Sequence, residues 1–245
     1  MEDVSVGEAA YRRVRTDILF GRLTPGQRLG LDWMRQTYGI SVSTLRELLS
    51  RLSSEDFVTA EGQRGFEVAQ VSPADFREVA DLRLLLETHA IGNSFAAGGL
   101  DWEGHVVAAH HRLAALERRL IAGEASEAEV WKRYDWEFHR ALIAACGSRA
   151  LLQAHAAAYD RYLRYQMVAV VFRGAVAAEE HQRLLECALA RDAAAARRVL
   201  QTHIESCVSQ VLQAGTLEAL ANGNAESTGS RRRRAEAKPA SGASR

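Results

Sequence analysis

The sequence predicts a mainly α protein in two parts: an N-terminal winged helix-turn-helix with a small β-hairpin wing, then a C-terminal antiparallel all-helical bundle. Three observations predict it. Two short helical stretches meet at Gly39, an imperfectly alternating stretch follows them, and from Pro73 to about Leu220 only helical spacing recurs.

The first helix is expected over Val6 to Phe20, with Ala10, Val14, Ile18 and Leu19 along one side. Thr24-Pro25-Gly26 breaks it. A short helix over Asp32 to Tyr38 takes Asp32 as its N-cap and ends at Gly39, where a glycine accepts positive φ. Ser41 or Ser43 caps the next helix, which runs to about Ser54. FVTAEGQRGFEVAQV, interrupted from Gly62 to Gly65, reads as the wing hairpin, and Ser72-Pro73 marks a junction. Beyond it, Phe76-Val79-Leu82-Leu86 and Leu184-Leu185-Ala188 carry helical spacing. Breaks at Gly98-Gly99, Gly123, Gly147-Ser148 and Arg173-Gly174 leave six or seven helices. The expected domains are 1–71, reading DNA; 72–220, binding an effector and dimerising; and 221–245, a disordered basic tail carrying RRRR at 231–234.

Composition narrows the function. No apolar run reaches membrane-spanning length and no apolar signal core opens the chain, so a soluble cytoplasmic protein is expected. Cys146, Cys187 and Cys207 are odd in number and widely spaced, which is no disulfide framework. Net charge is zero, and residues 1–71 hold nine Arg, no Lys and ten acidic residues. DNA affinity must therefore come from a locally placed set of side chains. Ser41, Ser43, Thr44 and Arg46 open the third helix, where short polar side chains and a guanidinium meet base edges and phosphates. Arg46 can fork onto guanine. Arg64, beside Gly65 at the wing tip, reaches the minor groove or backbone, and Arg28 touches phosphate. The competing reading is a set of solvated arginines around an ordinary helical hairpin. The order turn, helix, wing favours DNA.

The second constellation is Asp135, His139, His181 and His203. Asp135 and His139 are four apart, so one helix face presents both, and the other two histidines lie in separate helical stretches. Three imidazoles and a carboxylate suit a borderline divalent metal, zinc or nickel foremost, and leave coordination positions open for a small carboxylate. Arg83, Arg161 and Arg164 are candidate cations for such an anion, because a guanidinium fork matches a carboxylate. For Arg83 the alternative is a structural pair with Glu87 at i+4. His89, His105, His110, His111 and His155 read as structural histidines, and Cys207, four after His203, as a small buried residue. Trp131, Tyr134 and Trp136 line a pocket or fill the core. No catalytic residue is assigned. A helical-bundle metalloenzyme is the competing class, but the chain has no Glu-x-x-His pair, and Glu137, two residues from both Asp135 and His139, points away from their face. A regulator for which the metal alone is the signal is the other alternative.

PGQRLGLDWMRQTYGISVSTLRELLSRLSSEDFVTAEGQRGFEV resembles the winged-helix domain of the GntR family of bacterial transcriptional regulators. Arg46 and Glu47 match the family's usual Ser-Arg-Thr-Pro-Val-Arg-Glu-Ala-Leu run. Val42 stands where Arg is usual, Thr44 where Pro often stands, and Asp56 replaces a common Gly before the wing. ADLRLLLETHA, YDWEFHRALIAACGS, EEHQRLLECALARD and the His203 stretch resemble the FCD effector domain of the FadR branch, most of all its CsiR-type regulators of short dicarboxylate and GABA-related catabolism. The resemblance implies an Asp-x3-His and two later histidines as metal ligands, filled without substitution by Asp135, His139, His181 and His203. It implies a homodimeric repressor on a pseudo-palindromic operator in double-stranded DNA, answering to a small carboxylate such as a short dicarboxylate.

Overall fold

The computed structural model describes residues 5–62, 65–124, 128–169 and 173–221. Helix α1 (Val6–Leu19) is capped by Ser5, whose hydroxyl accepts from Glu8 N–H. Strand β1 (Arg28–Leu29) precedes α2 (Leu31–Tyr38). Asp32 is not the N-cap of α2. Gly30 holds that position without a side-chain bond, and Asp32 lies in the first turn, where its charge meets the positive end of the helix dipole. Gly39 closes α2 at φ +67°, as its position at the turn requires. Ser41 caps α3 (Val42–Ser54), its hydroxyl accepting from Thr44 N–H at 3.2 Å.

The wing strands β2 (Val58–Ala60) and β3 (Phe66–Val68) pair antiparallel with Val58 opposite Val68, and β1 adds on the other side of β3 to give the order β1-β3-β2. The third strand was not anticipated, because two residues carry no readable alternation. Asp56, just before β2, sits at φ +61°, the left-handed region that explains why glycine is common there.

Six long helices follow: α4 (Pro73–Ala97), α5 (Leu100–Ile121), α6 (Ala128–Ile143), α7 (Arg149–Ala169), α8 (Ala175–Leu189) and α9 (Ala193–Gln213). A last helical segment covers 216–221. Ser72 caps α4 and Pro73 begins it, where a missing N–H costs nothing. The breaks expected at Gly98-Gly99, Gly123, Gly147-Ser148 and Arg173-Gly174 all fall between helices. One further turn has no glycine: Arg191 takes φ +59° and Asp192 caps α9 by accepting from Ala195 N–H. Helix α4 packs on α7 and α9, and α5 on α6 and α8. Two apolar cores result. Val14, Met34, Leu45, Leu49, Leu52 and Val68 centre the first, and Phe76, Ile91, Leu113, Phe138, Leu184 and Leu200 the second. Among the described residues no helix is long and apolar enough to cross a membrane.

Between the cores lies a polar seam. Arg15 of α1 bridges Glu55 (3.0 Å) and Asp160 of α7 (2.6 Å). Arg161 bridges Asp56 (3.2 Å) and Asp75 (2.8 Å), and buried Arg164 donates to the Ala69 carbonyl.

Candidate metal centre and DNA-reading surface

Helix α6 supplies Asp135 and His139 one turn apart, α8 supplies His181 and α9 supplies His203. All four are buried, and one ligand atom from each lies within 4.8 Å of the others. The ring centroids are 5.7 Å apart for His139–His181, 5.2 Å for His139–His203 and 4.8 Å for His181–His203. The spacing on α6 brings two donors to one face, and helix packing delivers the other two from helices adjacent in the bundle.

Each imidazole is held from behind by a different glutamate. His139 Nδ1 is 3.1 Å from Glu87 Oε2, His181 Nδ1 2.7 Å from Glu117 Oε1, and His203 Nδ1 2.7 Å from Glu180 Oε2. Where Nδ1 carries the proton and donates to its glutamate, the tautomer offers Nε2 to the centre. Buried Nε2 atoms of His139 and His181 have no hydrogen-bond partner. His181 Nε2 lies 3.3 Å from Asp135 Oδ1 without hydrogen-bond alignment. Asp135 Oδ2 is taken by the Tyr159 hydroxyl at 2.5 Å and faces Lys132 Nζ at 3.4 Å, which leaves Oδ1 for the centre. Orphaned lone pairs facing a carboxylate oxygen in a buried space are the donor set a divalent cation satisfies.

The electrostatics of Asp135, His139 and His203 agree with that donor set. Burial drives His139 and His203 down, toward the neutral form a ligand needs. Burial opposes ionisation of Asp135, but Lys132 and the imidazoles outweigh it and hold the carboxyl well below its usual range. His181 runs the other way. Burial lowers it, yet Asp135 and Glu117 on its two sides raise it to about 9. An imidazolium flanked by two carboxylates marks a place that favours positive charge.

The three candidate effector arginines separate. Arg83 lies behind His139, on the Nδ1 side of the ring. It is 1% exposed, bridges Glu87 at 2.7 Å, lies 3.1 Å from His139 Nδ1 and stacks over the Tyr159 and Tyr162 rings. Of the two alternatives for Arg83, the structure shows the buried pair with Glu87. Arg161 and Arg164 do not reach the centre. They lie at the seam on the opposite side of α7, partnered by Asp56, Asp75 and the Ala69 carbonyl. The sequence reading missed Glu87, Glu117 and Glu180 as partners of the histidines, and also Lys132 and Arg173, whose guanidinium is 2.9 Å from His203 Nδ1. Lys132 stood three residues before the candidate ligand it serves, Asp135, and Glu180 stood adjacent to His181 but serves His203. His155 is a buried structural histidine, bonded to Glu87 at 2.7 Å and stacked on Trp136. His110 is buried edge-on to Phe138, but its Nε2 is unpartnered. Glu137 pairs with Arg112 at 3.2 Å, away from the quartet.

At the other end of the molecule, Ser41 Oγ lies 2.7 Å from Ser43 Oγ and 2.9 Å from Thr44 Oγ1, a hydroxyl cluster at the N-terminus of α3. Arg46 is exposed one turn on, and Arg28 is exposed on β1. Gly65 turns the wing at φ +93°. Arg64 lies outside the described residues.

Two family models match the chain: "Bacterial regulatory proteins, gntR family" over residues 7–68 and "FCD domain" over 78–206. The chain is 36% identical to the HTH-type transcriptional regulator BphR of Paraburkholderia xenovorans, over 87% of this chain and 88% of that protein. It is 32% identical to the HTH-type transcriptional repressor GlaR of Escherichia coli, over 83% and 94%. Its fold matches Escherichia coli McbR/YncC with a TM-score of 0.72 at 18% identity, covering 86% of this chain and 99% of that one. A GntR-type regulator from Rhodococcus matches with a TM-score of 0.70 at 21% identity, covering 84% and 97%. Such proteins regulate transcription by binding DNA and are not enzymes. A winged helix joined to an all-helical domain with a buried cluster of one aspartate and three histidines, matched by both models and by relatives spanning most of its length, is the architecture of the GntR family in its FCD-bearing branch, and the chain belongs to it.

Proposed function

We propose that this DNA-binding regulator is a cytoplasmic homodimeric repressor that holds one divalent metal, zinc or nickel, per protomer through Asp135, His139, His181 and His203, and that a small carboxylate completes the metal's coordination and modulates operator binding. The observation that carries it is the convergence of three imidazoles, each tethered through Nδ1 to its own glutamate, with two Nε2 atoms unpartnered beside Asp135. When bound, the metal supplies a fixed positive charge with open positions for an anion. The chain's own part is to hold the donors. Glu87, Glu117 and Glu180 fix the rings, Tyr159 and Lys132 orient Asp135, and Arg83 adds a second buried cation beside the centre. The name of GlaR describes that relative as a repressor, which supports the same sign of action here.

Helix α7 gives the effector a route to DNA. Tyr159 on one side touches Asp135, while Asp160, Arg161 and Arg164 on the other hold α1, Asp56 and the Ala69 carbonyl. A shift of α7 on effector binding changes the seating of the winged helix. The operator contacts we assign are Arg28, Ser41, Ser43, Thr44, Arg46, Arg64 and Gly65.

The test is His203→Ala, assayed by elemental analysis, effector calorimetry and gel shift. Metal and effector binding are expected to fall together while operator binding persists. Wild-type metal content in the variant overturns the ligand set. The complete burial of the quartet also favours a second reading, in which the metal alone is the signal. Operator binding that follows metal titration and ignores every small acid selects that reading.

A further inference from the structure

Along α7, Tyr159, Tyr162 and Gln166 follow one another at i, i+3 and i+7 and so share a face. Tyr159 is spent on Asp135. The next two are not. Tyr162 is fully buried and Gln166 is 5% exposed, yet the Tyr162 hydroxyl and Gln166 Oε1 have no hydrogen-bond partner. Gln166 Nε2 donates to Cys207 Sγ at 2.9 Å, and Cys207 lies one turn beyond the ligand His203 on α9. The thiol is close enough to the phenol to push its ionisation up, after burial, though no aligned hydrogen bond joins them. Two unpaired polar groups one helical turn apart, both buried and both beside Cys207, are unusual in a native interior, where such groups find partners.

We propose that Tyr162 and Gln166, braced by Cys207, form a subsite for an uncharged hydroxyl group on the effector, so that the ligand is a small hydroxy acid held by carboxylate at one end and by hydroxyl at the other. The proposal rests on the metal-anchored carboxylate reading above. Tyr162, Gln166 and Cys207 bring no formal charge, and the Arg83 guanidinium over the Tyr162 ring is already paired with Glu87, so the three favour a neutral group over a second carboxylate or an ammonium. A hydroxyl both donates and accepts. It satisfies the phenol and the amide whichever way the amide is turned, whereas a pure donor or a pure acceptor does not. His203 and Cys207 are one turn apart, about 5 Å along the helix, which suits a hydroxyl three or four carbons from the carboxylate. A structural purpose explains the residues poorly, because Phe and Met fill the same space without orphaned atoms.

The experiment is calorimetry of metal-loaded full-length protein with 4-hydroxybutyrate, 2-hydroxybutyrate, butyrate and succinate. 4-Hydroxybutyrate is expected to bind about tenfold tighter than butyrate, the scale of one or two net hydrogen bonds, and tighter than the other two. Tyr162→Phe and Gln166→Met should each erase most of that preference and leave butyrate affinity within about twofold, the scale of a lost contact that butyrate never makes. Metal content should stay at the wild-type value and the ligand-free melting temperature should be unchanged or higher. Equal binding of 4-hydroxybutyrate and butyrate to the wild type overturns the subsite and leaves the metal-anchored carboxylate standing. So does a preference that survives both substitutions. A lowered melting temperature in both variants, with the preference intact, assigns the pair a structural role instead. Failure of all four acids to bind metal-loaded protein sinks the carboxylate anchor, and the subsite with it.

Discussion

Glu117 never touches the proposed metal, yet its carboxylate decides which nitrogen of His181 faces the centre. Glu117→Gln should keep the ring in place and lower metal affinity by about 10–100-fold, the scale of an outer-partner loss, with the four ligands intact. Competition against a chromophoric chelator measures it, and unchanged affinity removes Glu117 from the site. Glu180 gives a pH signature in the metal-free protein. Burial opposes its ionisation, but hydrogen bonds from His203 and Arg173 prevail and bring its pKa to about 2, from an ordinary 4.5. Asp135 and Glu87 are displaced the same way. The folded chain therefore binds fewer protons than the unfolded chain as pH falls below 4.5. The stability these carboxylates contribute is present above that pH and lost toward about 2. Urea midpoints of metal-free protein should fall across that window, less steeply in Glu180→Gln. Parallel slopes for the two proteins contradict the assignment.

Helix α3 depends on one hydroxyl at its start. Ser41 accepts from Thr44 N–H and gathers the Ser43 and Thr44 hydroxyls. Ser41→Ala should cost about 1 kcal/mol of stability through the lost cap and weaken operator binding, since the cluster sits where bases and phosphates approach. Arg46→Ala should cost about 1–3 kcal/mol in operator affinity if the guanidinium forks onto a base. A gel shift like the wild type's removes Arg46 from the interface. Helix α7 carries the second element-scale expectation. Arg15 and Asp160 are each about one-fifth exposed, so solvent screens their 2.6 Å bridge and its direct worth is at most about 1 kcal/mol. The larger effect we propose for it is coupling. Asp160→Asn should leave operator binding intact and blunt the effector's control of it, read by gel shift with and without ligand. A full effector response in Asp160→Asn places the coupling elsewhere.

At the scale of the whole molecule, one winged helix reads only a few base pairs, so we expect two protomers on a pseudo-palindromic operator. Gel-shift stoichiometry checks this, and one protomer per operator contradicts it. The segment 222–245, with its RRRR run, lies outside the described residues. Its composition predicts that truncation after Leu220 preserves the melting transition and flattens the salt dependence of DNA binding.

The sequence by itself determined the order of elements, the helix-turn-helix with its wing and the identity of the four clustered residues. These are local or patterned properties: Gly39 and Ser41 fix a turn and a cap within a few residues, Asp135 and His139 share a face because they are four apart, and the helical breaks fall at glycines. What lacked local signal was missed or misplaced. The two-residue β1 exists only because β3 pairs with it, and Asp32 lost the cap to Gly30 through the chain's entry from that strand. The turn at Arg191 has no glycine to announce it, although Arg191 takes the left-handed conformation at the end of α8 and Asp192 caps the next helix. Only the tertiary structure decided which charges meet. Glu117 and His181 are 64 residues apart and Glu87 and His139 are 52 apart, separations over which no periodicity holds. It also divided the arginines. Arg161 and Arg164 share α7 with Tyr159, but packing turns them to the winged helix, while Arg83 on α4 is carried to the back of His139. Helical spacing says which residues share a face, and only the packing of one helix on another says what that face meets.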